Sequence, residues 1–354
     1  MVHKSKIGVG KCFEENFMLR YIQKKRVLFV TTKNVDYIRN TQEIALIAEH
    51  AQSYTVIASA QKNYFVRILS VYWRLFMTCI SDFDTIFVGF APQLVLPLFR
   101  QKCKQVNIVE DFFISLYDTF CCDRKKFKPE GIVGKLLHYL DEKTLACADA
   151  VFCDTNAHGR YFIEEFHVKP DKLTTMYLQA DSTIYHPIQV TRPVALENKF
   201  IVLYFGSILP LQGIDVVLQA FVLLSKHAEQ LYFYCIGPIR DKKISVSCPT
   251  ASCIKYIDWL PQPELARLIA MADLCLAGHF NDSIDKAKRT IPGKAFIYRA
   301  MNKPMILGDN PANHEFFSDA EDVIFVEMGN PYALAHAIIQ FKKRAKPLCT
   351  ICNK

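Results

Sequence analysis

The 354-residue chain has no apolar run of the roughly 18 to 20 uncharged residues that a membrane-spanning helix needs. Its first residues, MVHKSKIGVGKCFEEN, lack the long apolar stretch of a signal peptide. Both absences argue against insertion and export, so a cytoplasmic protein is expected. A zinc framework is missing too: Cys349 and Cys352 form a Cys-x-x-Cys, but no second ligand pair stands at a suitable spacing. The thirteen cysteines are odd in number, and Cys79, Cys235 and Cys275 lie in apolar segments, where cysteine behaves as a small buried hydrophobe. Reduced thiols are expected, not a disulfide scaffold.

What is present describes a globular protein, 51% apolar and 22% charged. Its length exceeds that at which single cores stop growing, so two domains are expected. The net charge of +8 is uneven: residues 1–75 hold twelve Lys or Arg against five Asp or Glu. An anionic membrane surface, nucleic acid or an anionic substrate would each suit that excess, and charge alone does not choose between them.

From Arg26 onward, short β-branched or aromatic runs alternate with longer segments of helical period, the signature of βαβ units and a parallel sheet. VLFVT (27–31), YTVIAS (54–59), TIFVGF (85–90), VNIVED (106–111) and AVFCDT (150–155) are expected strands. The stretch 182–199, with two prolines and no period, suits a linker. The alternation then restarts with FIVLYF (200–205), LYFYCIG (231–237), CIKYIDW (253–259), LCLAG (274–278), PMILG (304–308) and VIFVE (323–327). Two open α/β domains in tandem are thus expected, with ligands at the carboxyl ends of their strands. In 63–81, Arg67 and Arg74 fall on nearly the same helical face, which fits either a basic amphipathic helix on anionic lipid or an inter-strand helix with one solvated stripe.

Two stretches of the second half point to an anion. In YFGSILPLQGIDVVLQAF (204–221) a strand ends at Gly206, a turn holds Pro210 and Gly213, and a helix follows, so backbone N–H groups and a positive dipole end are on offer. The spacing differs from the dinucleotide fingerprint. In KAKRTIPGKAF (286–296) a helix starting near Pro292 would hold Lys294 in its first turn, with Lys286, Lys288 and Arg289 in the loop before it. A helix N-terminus is already electropositive, so such a cluster calls for an anionic partner. A diphosphate is the natural candidate, with Lys294 and Arg289 ranked above Lys286 and Lys288, for which solvated lysines are the alternative.

The sequence resembles glycosyltransferase family 4 enzymes of the two-domain GT-B type, and more narrowly a bacterial subgroup with PLQG (210–213), KAKR (286–289) and IPGK (291–294). Residues 253–276 resemble the family's strand, turn and helix beside the nucleotide base, and 302–317 the strand and helix on the phosphate side. Residues 111–127 and 154–162 resemble that subgroup's N-terminal domain. The resemblance spans about residues 26–345. It implies an extension (1–25), an acceptor-side domain (26–185), a linker (186–199), a nucleotide-sugar-binding domain (200–345) and a tail (346–354). It further implies retaining transfer from a nucleotide diphosphate sugar to a glycan or lipid-linked acceptor in cell-envelope synthesis, with possible peripheral contact to an anionic membrane and no nucleic acid partner.

Several positions depart from the family. Where relatives place an arginine and a lysine for the donor phosphates, this chain has Ser207 and Gln212; where they place paired glutamates it has Arg289 and Ile297. The glycine-rich loop after the first strand is replaced by TTKNVDYIRNTQE. Phosphate charge would then come from Arg289 and Lys294, and no divalent metal or other cofactor is called for. The resemblance places Gly206, Ser207, Gln212, Gly213, Gly237, Trp259, Leu260, Arg289, Pro292, Lys294, Asn313 and Glu315 on the donor side. Trp259 and Leu260 would flank the base through backbone contacts, unless Trp259 is a core residue, and the neighbourhood of Asn313 would offer N–H groups. Glu315 matches a family glutamate, with a helix-dipole role as the alternative. Asp111 stands where many relatives have a functional histidine; it and Glu110 are the catalytic candidates, against a loop-capping role or pairing with Arg124 or Lys125. Asp118 and His158 are weaker candidates. A catalytically degenerate binding protein and a sugar-nucleotide epimerase remain open alternatives.

Overall fold

The computed structural model describes residues 17, 19–227, 229–238, 251–318 and 320–345. Cys349 and Cys352, the tail and residues 1–16 lie outside them. The chain forms two units that divide between Gln179 and Ala180.

The first unit is a six-stranded, all-parallel sheet of β1 (Arg26–Val30), β2 (Ser53–Ile57), β3 (Thr85–Val88), β4 (Asn107–Asp111), β5 (Ala150–Cys153) and β6 (Leu173–Thr175), in the order β2-β1-β3-β4-β5-β6. The order reverses beside β1, so the switch point lies between β1 and β3. β6 is a strand that the sequence pattern did not announce. It has only three residues, of which Thr175 alone is buried, too short a run for period-2 alternation to register. Four helices, Tyr64–Met77, Leu96–Cys103, Ile132–Leu145 and Asn156–Phe166, cover one face, with Val71, Leu75, Leu96, Leu145 and Phe162 in its core. Ile38–His50 covers the other, and Ile22 and Ile47 pack there with Phe29 and Phe87.

The second unit pairs β7 (Phe200–Phe205), β8 (Leu231–Ile236), β9 (Ile254–Ile257), β10 (Leu274–Gly278), β11 (Met305–Gly308) and β12 (Val323–Val326) in the order β12-β11-β10-β7-β8-β9, again all parallel. Here the switch point lies between β7 and β10. The four inner strands β7, β8, β10 and β11 are almost wholly buried, which is why they appear in the sequence as continuous apolar runs. The stretch expected as a linker is fastened to this unit: an Arg192 guanidinium nitrogen donates to Asp273 Oδ1 at 2.5 Å and to the Met271 carbonyl at 2.8 Å. Among the described residues no helix is long and apolar enough to cross a membrane.

Candidate donor-binding site

Of the residues expected around a donor, Gly206, Gln212, Gly213, Gly237 and Lys294 come together at the carboxyl end of β7. Strand β7 ends at Phe205, Gly206 follows, a turn spans Pro210–Gln212, and Gly213 precedes the helix Ile214–Leu224. Gly213 sits at φ 64°, and a Cβ there would come within 2.6 Å of the backbone of Phe280 and Asn281. The Phe280 N–H donates to the Gln212 carbonyl at 3.2 Å, so this glycine lets the turn lie against the loop after β10. Gly213→Ala is therefore expected to cost about 2 kcal/mol or more in local stability, through backbone strain and overlap. Loss of hydrogen-exchange protection along β7 and β10 would measure it; unchanged protection would contradict the packing described. Gly237, after β8, lets the chain approach Gly206 just as closely, since a Cβ there would stand 2.2 Å from the Gly206 carbonyl oxygen.

Lys294 is the second residue of the helix Gly293–Ala300, with Pro292 as its N-cap, as the sequence suggested. Its side chain runs inward. It is 5% exposed, and Nζ donates to Gln212 Oε1 at 2.5 Å and lies 4.0 Å from the centre of the Tyr204 ring. Gln212 Oε1 also accepts from the Tyr204 hydroxyl at 3.3 Å. A Cβ on Gly206 would stand 3.0 Å from Nζ, so the amine rests against the end of β7. Burial lowers the amine's pKa from 10.5 to about 7, because a charge with an amide and a ring for neighbours loses more hydration than it regains.

The rest of KAKR differs from expectation. Lys286, Lys288 and Arg289 are in a short helix, Asp285–Arg289, rather than a loop. Lys288 is paired with Asp285 at 2.9 Å, so its charge is already answered locally. Arg289 is half-buried in the last turn. Asn313 is also corrected: its backbone N–H donates to Asn310 Oδ1 at 2.9 Å and its side chain to the Gly308 carbonyl at 2.8 Å. Both groups fix the loop after β11, and the side-chain nitrogen also donates to the Gly278 carbonyl at 3.5 Å, so the Asn313 donors are turned to the protein itself. Glu315 is half-buried in the helix Pro311–Phe317. Trp259 is 75% exposed, which excludes the core role. With Leu260 it follows β9, two strands away from β7 in the sheet. Ser207 follows Gly206 directly, and its carbonyl accepts from the Leu209 N–H at 3.0 Å.

In the first unit Asp111 ends β4 and is fully buried, but its partner is neither Arg124 nor Lys125. Arg39 Nε and a terminal nitrogen donate to its two oxygens at 2.6 and 2.7 Å, and Arg39 also donates to the Met176 carbonyl at 2.6 Å. Burial works to lower the Arg39 pKa, and Asp111 first, with Glu43 and Asp154, more than offsets it. Glu43 lies beside this pair, 3.9 Å from Arg39 Nε. Burial, reinforced by Asp111, pushes its carboxyl well above the usual range. Glu110 is fully buried as well, and neither of its oxygens meets a donor among the described residues. Burial, then Asp111 and Asp141, pushes its carboxyl well above the usual range too. Both catalytic candidates therefore lie inside the unit. Asp118 and His158 are buried likewise, His158 with Nδ1 2.6 Å from Asp154. The chain's one Asp-x-Asp, Asp82-Phe83-Asp84, is at the amino end of β3, where Asp84 binds the Arg26 backbone N–H and guanidinium, each at 2.9 Å, and joins two strands.

Sequence reasoning missed Arg39 and Tyr204 altogether. Arg39 lies in TTKNVDYIRNTQE, which was noted only as replacing a glycine-rich loop, and Tyr204 in a strand where an aromatic residue is expected for packing alone.

Known proteins match this frame. Residues 199–343 match the family model of "Glycosyl transferases group 1". The D-inositol 3-phosphate glycosyltransferase of Thermobispora bispora is 25% identical over 173 residues, 44% of this chain and 40% of the relative's length. Among solved structures, HepE of Anabaena in complex with UDP and glucose aligns over 91% of this chain and 90% of its own, with 13% identity and a TM-score of 0.58. Sucrose-phosphate synthase of Thermosynechococcus elongatus aligns over 90% of each, with 11% identity and a TM-score of 0.64. Residues 199–343 thus match the group 1 glycosyltransferase family model, and the chain as a whole is similar in fold to these solved glycosyltransferase structures.

Proposed function

We propose that the protein transfers a sugar from a nucleotide diphosphate sugar to a glycan or glycolipid acceptor, with retention at the anomeric carbon, in the synthesis of cell-envelope polysaccharide. The observation that carries the donor half is Lys294, a buried amine against a strand-end glycine at the switch point of the second sheet. Its neighbours, the Gln212 amide and the Tyr204 ring, carry no negative charge. A diphosphate would supply that charge, restore the proton, and gain stabilisation as it departs with charge developing in the transition state. Arg289 is the second cation of this proposal. The HepE complex with UDP and glucose makes uridine diphosphate sugars the first donors to test. The acceptor class and the retaining outcome rest on the resemblance.

Nucleoside diphosphates at 100 times their dissociation constant are expected to stabilise the protein by about 2.7 kcal/mol, a rise of about 5 to 10 °C in melting temperature for a unit of this size. Thermal-shift measurements across the bases would show it, and a protein indifferent to all of them would sink the proposal. Transfer assayed with a matched donor, and the anomeric configuration of the product by NMR, would separate transfer from donor isomerisation or simple binding.

A further inference from the structure

We propose that the outer side of three neighbouring helices in the first unit is a docking surface for an anionic lipid bilayer, an inference independent of the sugar-transfer proposal. Of the two readings of residues 63–81, the lipid-facing one would use Arg67 and Arg74. The structure uses both internally: Arg67 donates to the Gln61 carbonyl at 2.7 and 2.9 Å, and Arg74 to the Ala58 carbonyl at 2.6 Å. The outward stripe is apolar instead. Phe65, Leu69, Trp73 and Phe76 recur at spacings of four, four and three, which puts them on one helical face. Phe65 is 69%, Trp73 64% and Phe76 63% exposed.

The stripe continues sideways. Tyr72 packs edge-on against Phe99 at 5.5 Å and its hydroxyl donates to the Leu94 carbonyl, which sets the helix Leu96–Cys103 alongside. That helix exposes Leu98, at 68%, and packs in turn against Ile132–Leu145, which exposes Ile132, at 89%, and Leu136. All three helices lie on the same face of the sheet, with their buried residues in one core. Large apolar side chains exposed on successive elements of one face mark an interaction surface rather than scattered surface residues.

Charge selects the partner. The helices Tyr64–Met77 and Leu96–Cys103 contain no acidic residue. Lys62 precedes the first, Arg100, Lys102 and Lys104 cluster at the end of the second, and Arg124-Lys125-Lys126-Phe127-Lys128, all exposed, lead toward the third. Lys102 donates to the Phe76 carbonyl with its amine 5.4 Å from the Phe76 ring, joining cation to aromatic at the stripe's end. Apolar and aromatic side chains rimmed by Lys and Arg suit the boundary between headgroups and acyl chains of an anionic leaflet. An apolar protein partner would not call for the basic rim.

The test uses the full chain with vesicles of phosphatidylcholine containing one quarter phosphatidylglycerol, and with phosphatidylcholine alone. Flotation with the anionic vesicles, weakened by salt, is expected, together with a blue shift of Trp73 emission measured in a Trp259→Phe background. Trp73→Ser and Phe76→Ser should each weaken partitioning about tenfold, the loss of one inserted side chain, and Lys102→Glu with Arg100→Glu should remove the preference for anionic vesicles. Far-UV circular dichroism and an unchanged nucleoside diphosphate response would show that these variants fold. No association with anionic vesicles, association that the serine variants leave intact, or a dimer in sedimentation equilibrium that Trp73→Ser dissolves would each overturn the proposal.

Discussion

Replacing Lys294 by methionine is expected to stabilise the ligand-free protein while abolishing its response to nucleoside diphosphates. The folded protein releases the Lys294 proton at about pH 7 and the unfolded chain at about 10.5. Below pH 7 the folded state bears the whole cost of holding a buried charge, a difference of about 5 kcal/mol between the two protonation states. Between pH 7 and 10.5 the unfolded chain binds more protons than the folded one, so the wild-type protein regains stability as pH rises through that window. The methionine variant, of similar length and without a charge, should thus be more stable than wild type, and its advantage should shrink by roughly 2 to 3 kcal/mol between pH 6 and pH 9. Urea titrations at the two pH values measure this. An advantage that does not change with pH would mean that Lys294 is not the group that titrates.

If Lys294 meets the donor diphosphate as proposed, the same amine is expected to make donor binding pH-dependent. A bound diphosphate raises its pKa again, so above pH 7 each binding event takes up close to one proton and affinity falls by up to about tenfold per pH unit. Calorimetry at pH 8.5 in two buffers of different ionisation heat counts that proton directly. In the Lys294→Met protein the uptake should vanish, and kcat/KM should drop by about 10² to 10³, the typical effect of removing one charge-stabilising donor. Normal turnover in that variant would remove Lys294 from the site.

Local pattern revealed the sheets and the helix starts because parallel strands buried on both faces are short apolar runs bounded by turns, and IPGK announces its helix by a proline cap. What lay beyond the sequence was direction and partner. Helical spacing correctly set Arg67 and Arg74 on one face, but whether that face meets lipid or the chain's own carbonyls depends on where the loop after β2 passes. The charge of Lys294 was plain, whereas its burial comes from Tyr204 and Gln212, 82 residues before it in the case of the glutamine. Asp111 was found as a carboxylate at a strand end, and its partner is 72 residues distant, across the sheet order. In each case the residue type was legible and its free-energy role was not, since burial and pairing are set by contacts far apart in sequence.

Asp111 provides the second large effect. Its two oxygens hold Arg39 beside Glu43, whose carboxyl burial and Asp111 push well above its usual range, so Asp111 is the carboxylate that answers the guanidinium charge. Asp111→Ala takes from a buried guanidinium its bidentate partner and is expected to destabilise the first unit by about 3 to 5 kcal/mol. Arg39→Met should cost less, because a buried carboxyl left alone can take up a proton. Removing both partners together, as Arg39→Met with Asp111→Leu, replaces the ion pair by apolar groups of similar volume and should restore most of the loss. Hydrogen-exchange protection of the β4 and β5 amides reports on this unit without assuming that the whole chain unfolds in one step. A catalytic role for Asp111 alone predicts a different pattern, with turnover lost in Asp111→Asn at undiminished protection and no rescue by the double substitution. Protection that falls in each single variant and recovers in the double one would assign Asp111 to holding Arg39, and through it the carboxyl ends of β4 and β5, in place.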